Sequence, residues 1–409
     1  MSPETARRRT RRASAPCIEP LSSAPRGARG RAGRRERTIS AAKTEPRSTP
    51  LEAQHRQCGA RMVEFAGWSM PIQYDGLIKE HERVRRAAGL FDVSHMGELF
   101  FSGPGALTTL DRLATNDVAA LVDGQVLYTP LCNPRGGVRD DVLVYRMDGN
   151  RFMMVVNAAN MAKILAWSRE HLQPQTELQD RSDEVALLAL QGPRSPDILR
   201  RSRLLGDLGE RAATLPYYRF LAGAGEVLAV SRTGYTGEKG YEIYVQASRA
   251  PALWEDLLAQ GGELGLGPAG LGARDTLRFE VAYCLYGHEL EEDISPLEAG
   301  LGWTVKLKKP NFIGREALVR QKEQGVPRRL LGLELADRVI ARAGFAVRGQ
   351  GREVGKVTSG TFAPSLGRSL ALALVQSDAA EAPLAVVVRG REVGARRVAL
   401  PFHAPSAQA

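Results

Sequence analysis

The sequence predicts an α+β protein, with antiparallel sheets and helices over residues 48–310 and a separate C-terminal all-β unit, a β-barrel or a sandwich, over residues 326–405. Three observations predict it. Apolar and polar residues alternate with the period of a half-buried strand over residues 97–101 and again over 138–157. Helical spacing interrupts these strands at residues 76–88, 160–171, 250–258 and 272–286. From about residue 328 the texture changes to short apolar runs separated by Gly, Pro and Ser turns. On pattern alone that texture fits a small barrel or a sandwich.

Each element has its own signal. In residues 76–88, Leu77, His81, Val84 and Ala88 share one helical side, with Gly89 expected as the stop. Asn160 is the expected cap of the helix over 160–171. Residues 184–190 form a continuous apolar strand that ends at Gln191-Gly192-Pro193, and residues 228–245 read as a hairpin. The C-terminal strands are expected at 330–335, 344–348, 371–375 and 384–388. No fixed-period repeat is visible, which excludes a solenoid.

Composition removes several function classes. The chain carries a formal net charge of +10, but residues 1–47 hold 13 Arg and Lys against 4 Glu, a net +9, which leaves +1 for residues 48–409. The basicity belongs to the tail, so the body carries no phosphate-binding signature and no nucleic-acid partner is expected. Residues 1–47, with Ile18, Leu21 and Ile39 almost their only large aliphatics, are expected to be a disordered basic tail. An upstream translation start is the favoured source of that tail, ahead of a mitochondrial transit peptide and of a basic nucleic-acid arm. The expected compartment is accordingly the bacterial cytoplasm, with the mitochondrial matrix as the alternative. No apolar stretch approaches the ~18 residues a membrane helix needs, so no membrane role is expected. Cys17, Cys58, Cys132 and Cys284 show neither a C-x-x-C pair nor ligand spacing to a His, so no metal is expected.

The most informative stretch is Gly136-Gly137-Val138-Arg139-Asp140-Asp141-Val142-Leu143-Val144-Tyr145. Strand alternation puts Asp141, Leu143 and Tyr145 on one face and Asp140, Val142 and Val144 on the other. A tight turn at Asp148-Gly149 returns the chain, and Met153, Val155 and Asn157 share a face of the second strand. A carboxylate, a phenol and a carboxamide among aliphatics suit a pocket with a few convergent polar groups. The alternative is that both acids cap the turn and pair with Arg135 or Arg139.

In Thr233-Gly234-Tyr235-Thr236-Gly237-Glu238-Lys239-Gly240-Tyr241-Glu242, three glycines bring the backbone close to another part of the molecule. Glu242 then sits in an apolar strand, where it needs a partner. A pterin edge with two parallel donors offers one, and a neighbouring Arg or Lys is the alternative. In Gly270-Leu271-Gly272-Ala273-Arg274-Asp275-Thr276-Leu277-Arg278, the two arginines are i and i+4 and so can emerge from one helix side. The glycines before that helix suit a ligand at its N-terminus, or an ordinary helix with Arg–Glu pairs.

Taken together, these segments resemble the aminomethyltransferase family, the T proteins of the glycine cleavage system, across residues 49–402. Further matching pieces are Thr49-Pro50-Leu51, Gly59-Ala60-Arg61-Met62-Val63, Phe65-Ala66-Gly67-Trp68, Phe91-Asp92-Val93-Ser94-His95-Met96-Gly97-Glu98, Leu190-Gln191-Gly192-Pro193, Gly302-Trp303, Phe312-Ile313-Gly314 and Thr358-Ser359-Gly360-Thr361-Phe362. The resemblance implies a three-lobed fold, with two interleaved α+β lobes before the barrel. It implies transfer of the one-carbon unit from an aminomethyl-dihydrolipoyl H protein to tetrahydrofolate, with ammonia released.

By the same resemblance the catalytic carboxylate falls on Asp141. Folate contacts fall on Met96, Tyr128, Leu143, Tyr145, Val155, Asn157, Tyr217, Tyr235, Glu242, Arg274 and Trp303. Cys284-Leu285-Tyr286-Gly287-His288-Glu289 is similar to a motif of a related folate-binding family of iron–sulfur cluster assembly, which makes a folate binder without transferase activity the alternative. Ala282-Tyr283 stands where that family has Lys-Gly, and a C-terminal Tyr found in some relatives is absent from Pro401-Phe402-His403.

Overall fold

The computed structural model describes residues 45–404 and Ser406. Residues 1–44 lie outside the described residues, and with them the expectation of a disordered tail. Arg47, counted from composition with that tail, already belongs to the fold. It and Ser48 run parallel to Trp68 and Ser69 in a three-stranded sheet completed by Arg61–Phe65.

Two larger sheets make the body. The six-stranded one has the order Phe220–Ala222, Val227–Ser231, Gly240–Gln246, Val185–Gln191, Ala88–Asp92, Leu266–Pro268, antiparallel except for its last pair. The five-stranded one, wholly antiparallel, has the order Val126–Cys132, Val138–Asp148, Arg151–Val156, Gly97–Ser102, Glu177–Asp180. Its strands are inserted in sequence between Ala88–Asp92 and Val185–Gln191, so the two lobes interleave.

Side-chain alternation builds a layered core. Val142, Val144, Met154 and Val156 point outward and pack with Leu110 and Ile164 of the covering helices. Tyr145, Met153 and Val155 point inward and meet Leu187, Ala189 and Tyr244 of the other sheet. Tyr241, Ile243 and Val245 on the far face of Gly240–Gln246 bury against Leu253, Trp254 and Leu257 of helix Ala250–Gly261. The inward faces of both sheets therefore enclose one space.

Helix boundaries differ from the periodic pattern in instructive ways. Helix Leu77–Arg86 stops before Gly89, which lies inside strand Ala88–Asp92. A Cβ on Gly89 would come within 2.5 Å of Val84 Cγ2, so this glycine permits the helix to pack on the strand rather than ending the helix. Helix Leu271–Glu280 ends six residues before the pattern suggests, and Ala282 turns left-handed at φ +56°. The apolar run Val281-Ala282-Tyr283-Cys284-Leu285 looks helical in composition, yet it forms a loop. Asn160 precedes helix Met161–Glu170 but makes no side-chain cap; its amide goes elsewhere.

The C-terminal unit is a closed barrel in the order Arg328–Leu335, Arg368–Gln376, Arg352–Ala363, Ala346–Gly349, Leu384–Val388, Arg391–Val398. Its interior is filled by Leu333, Val347, Val357, Ala371, Ala373 and Val386. Closure leaves no unpaired edge. Strands Arg352–Ala363 and Arg391–Val398 have no apolar run; in the first, Thr358 and Ser359 are buried beside inward Val357 because Glu289 and Arg278 cover them. Arg278, 1% exposed, ties body to barrel by donating to Ser359 Oγ at 3.0 Å, and it pairs at 2.9 Å with Glu289, which itself accepts from barrel Thr358 Oγ1 at 2.6 Å.

Candidate active site

A cavity of about 500 Å³ occupies the space between the inward faces, closed by helix Leu271–Glu280 and the loop after it. Asp141 enters it from the start of strand Val138–Asp148. Across the ladder, Asp141 stands opposite Pro130, and Leu143 stands opposite both Tyr128 and Val155. That register delivers Tyr128, Leu143, Val155 and Asn157 to the same wall.

Asp141 Oδ2 accepts from the Tyr128 hydroxyl at 3.0 Å, and Oδ1 accepts from Asn157 Nδ2 at 3.0 Å. Asp140, on the opposite strand face, is fully buried. Its Oδ1 accepts from Asn160 Nδ2 at 2.6 Å and Asn157 Nδ2 at 2.8 Å, and its Oδ2 accepts from Asn157 N at 3.1 Å. Neither acid pairs with Arg135 or Arg139; Arg139 lies over the Trp167 ring at 4.3 Å. Burial lifts both acids above the usual carboxylate range, and the charge of Asp141 adds to the rise at Asp140. The Tyr128 and Asn157 donors oppose this at Asp141, and the Asn157 and Asn160 donors do so at Asp140. Asp140 is saturated by N–H donors inside the fold, whereas Asp141, half-buried, faces the cavity.

The other charged groups of the cavity are Glu242 and Arg274. Glu242 leaves strand Gly240–Gln246 on its inward face, and its Oε2 accepts from Thr233 Oγ1 at 2.5 Å. Burial raises its pKa, while the Thr233 hydrogen bond and the charge of Arg274 hold it down. Arg274 lies over the Tyr235 ring at 4.4 Å. Arg278 does not share that side, since its bonds go to Glu289 and the barrel.

The glycine-rich segments act within the fold. A Cβ on Gly234 or Gly240 would strike the Gln191 side chain at 2.1 or 2.4 Å, so this hairpin wraps around a glutamine. Gly270 packs on Ile72, whose carbonyl carbon would lie 2.5 Å from an added Cβ, and its N–H donates to Glu80 Oε2 at 2.9 Å. Glu80 therefore takes the N–H of the residue that opens helix Leu271–Glu280.

Met96, Tyr217, Tyr235 and Trp303 also line the cavity. Trp303 stacks on Tyr128 with ring centroids 6.0 Å apart and stands 61% exposed at the rim. Tyr145 is the one expected contact outside the lining. It lies beneath the floor, fully buried, with its hydroxyl 2.8 Å from that of Tyr244. The sequence reading missed Tyr218, Thr233, Tyr283 and Cys284, all in the lining. Tyr218 holds a left-handed φ of +60°, which no local pattern announces. Tyr283 and Cys284 were hidden by extending the helix through them. Among the described residues, no group of three or more His, Cys, Asp or Glu could hold a metal ion.

The GCVT N-terminal domain family matches residues 51–309, and the glycine cleavage T-protein C-terminal barrel domain family matches residues 328–403. The chain belongs to the glycine cleavage T-protein family. It is 47% identical over 360 residues to the aminomethyltransferase of Halothermothrix orenii, covering 87% of this chain and 99% of that one. The aminomethyltransferase of Moorella thermoacetica is 50% identical over 362 residues, with 87% and 98% covered. The crystal structure of glycine cleavage system aminomethyltransferase T from Bartonella henselae superposes with a TM-score of 0.82 at 33% identity, covering 88% of this chain and 99% of that one. Relatives this similar over nearly the whole chain carry the aminomethyltransferase activity of T proteins, and they favour it over the iron–sulfur-assembly alternative.

Proposed function

We propose that the cavity binds tetrahydrofolate as one-carbon acceptor, that a lipoylated H protein presents the aminomethyl group, and that Asp141 is the catalytic carboxylate. One observation carries the reading. A single apolar cavity of about 500 Å³ holds a carboxylate with a free approach, a second carboxylate on the opposite sheet and a guanidinium between elements of the wall. Tetrahydrofolate fits that donor set, because its pteridine ring offers parallel N–H donors to an acid and an aromatic face to tyrosines.

The bound folate would supply the nucleophilic nitrogens that take up the transferred carbon as the carbon–sulfur bond to the lipoyl arm breaks and ammonia leaves. The chain has to hold, orient and exclude water. Glu242, fixed by Thr233, anchors the donor edge of the pteridine. Tyr128 and Asn157 fix Asp141 so that its charge faces the reacting atoms, where it stabilises the positive charge that develops on the transferred carbon and accepts a proton. Met96, Leu143 and Val155 supply apolar wall, and Tyr217, Tyr235 and Trp303 supply aromatic wall. We assign the chain to the bacterial cytoplasm; no helix among the described residues is long and apolar enough to cross a membrane.

A coupled assay with H protein loaded with the aminomethyl-lipoyl group tests this. Methylenetetrahydrofolate and ammonia should form in equal amounts. Folate binding without either product would return the chain to the alternative of a folate binder.

A further inference from the structure

From Thr233 in the cavity wall a line of buried hydroxyls runs back through Ser231 and Tyr145 to Tyr244, and beyond Thr233 the proposed chemistry does not use it. Thr233 Oγ1 donates to Glu242 Oε2 at 2.5 Å. Ser231 Oγ lies 2.6 Å from Thr233 Oγ1, and the Tyr145 hydroxyl lies 3.2 Å from Ser231 Oγ and 3.4 Å from Thr233 Oγ1. The Tyr244 hydroxyl follows at 2.8 Å from Tyr145. Ser231, Thr233, Tyr145 and Tyr244 are each at most 2% exposed.

Each hydroxyl has a single proton. The Glu242 carboxylate can only accept, so Thr233 gives its proton to Glu242 and must itself accept from Ser231 or Tyr145. Ser231 has a second acceptor in the Glu242 backbone carbonyl at 3.4 Å, but Thr233 Oγ1 at 2.6 Å is the much shorter contact; with Ser231 turned to Thr233 and Tyr145 turned to Ser231, each O–H of the line points toward Glu242. In a buried interior of low dielectric such aligned bonds polarise one another. The phenols at the far end act as donors that keep the first hydroxyl turned to the acid.

We infer that Tyr145, which does not reach the cavity, is a positioning residue for the folate anchor, acting through Ser231 and Thr233 to hold the Glu242 carboxylate ionised and aimed. This rests on the reading of Glu242 as that anchor. Thr233 touches the Glu242 carboxylate, and the charged and titratable groups close enough to feel its charge are Arg274 from helix Leu271–Glu280, Tyr145 from strand Val138–Asp148, Tyr217 and Tyr218 from the segment before strand Phe220–Ala222, and Tyr244 on its own strand. Only Arg274 among them carries a full positive charge, so the relay supplies the remaining support for an ionised acid. Beyond Tyr244 lies Glu98, fully buried, whose two carboxyl oxygens have no hydrogen-bond partner among the described residues. Burial favours its neutral form, so it does not compete with Glu242 for the aligned protons.

The test compares Tyr145→Phe with Tyr241→Phe. Tyr241 lies next to Glu242 on the opposite strand face, and its buried hydroxyl donates to Ala213 O at 2.9 Å, so its loss removes one internal hydrogen bond without touching the relay. KM for tetrahydrofolate is measured across pH with loaded H protein, beside thermal unfolding of each variant. Tyr145→Phe should raise KM by about 3- to 10-fold, the scale of one hydrogen bond between neutral groups, and should move the acid limb of folate affinity to higher pH. Tyr241→Phe should move neither. Equal KM and pH limbs in the two variants would overturn the inference. Glu242→Gln separates the two ideas: a wild-type KM in that variant would remove the anchor itself, whereas a raised KM there beside an unmoved Tyr145→Phe would sink only the relay.

Discussion

Asn157 Nδ2 lies 2.8 Å from Asp140 Oδ1 and 3.0 Å from Asp141 Oδ1, so one carboxamide serves two adjacent acids that leave opposite faces of a strand. Strand alternation separates the pair, and the side chain just past the end of the neighbouring strand reconnects them. The inner acid is held by amides alone, while the outer one keeps an approach from the cavity.

Asn157→Ala removes donors that favour the ionised form of both acids. With these lost, burial and mutual repulsion lift the proton affinity of the pair further. A transfer that needs ionised Asp141 is then lost at higher pH as acidity increases. The acid limb of the pH–turnover profile should move upward by about one unit, roughly the effect of losing one charge-assisted hydrogen bond.

Glu242→Ala should act on binding. Removal of a buried carboxylate that receives two donors costs about 1.5–3 kcal/mol, so tetrahydrofolate affinity should fall by roughly 10- to 150-fold. Titration calorimetry with tetrahydrofolate checks it, and an unaltered affinity would exclude Glu242 as the anchor.

His95 gives the body a pH-dependent stability. It is 2% exposed, with Nδ1 unpartnered among the described residues and its ring edge-on to Phe65 at 5.6 Å. Burial and the charge of Arg274 lower its pKa to about 4. Between that value and the ordinary one of about 6.5 the unfolded chain binds the extra proton, so stability falls as pH drops through this window. The slope from this group is at most ~1.4 kcal/mol per pH unit. Denaturant unfolding of His95→Gln should show a smaller loss between pH 6.5 and pH 4 than the parent chain.

Arg278→Met tests the tie between body and barrel. It leaves Glu289, 1% exposed, without its cation and Ser359 without its donor. Breaking a buried pair from one side costs about 3–5 kcal/mol. The midpoint of denaturant unfolding should fall accordingly, and a change below ~1 kcal/mol would show that the pair is not buried in solution.

The fold class and most of the cavity were legible because strand alternation is a local rule. Period put Asp141 with Leu143 on one strand face and Val155 with Asn157 on one face of the return strand, and the family resemblance, not period, assigned those faces to a ligand wall rather than to turn-capping acids. Tyr145 obeys the same period, yet it lies two residues deeper, where the opposing sheet closes over it. How far a shared face remains open depends on the partner sheet, which no local pattern specifies. Loop 281–286 was lost for a related reason. Its apolar side chains suit a helix, and they leave that helix because the cavity takes them; Tyr235, distant in sequence, donates to the carbonyl of Cys284. The barrel strand Arg391–Val398 was missed because a short strand with two polar residues for each inward one has no apolar run.

The most direct test is turnover and folate affinity of Asp141→Asn with loaded H protein, measured in the same preparation. The isosteric amide keeps the volume and can still bond with Tyr128 and Asn157, but it removes the charge and the proton acceptor. Affinity for tetrahydrofolate should remain within about threefold while turnover falls by ~10² or more, the scale of a lost electrostatic or acid–base contribution. Turnover equal to that of the parent chain would contradict the assignment of Asp141 as the catalytic carboxylate.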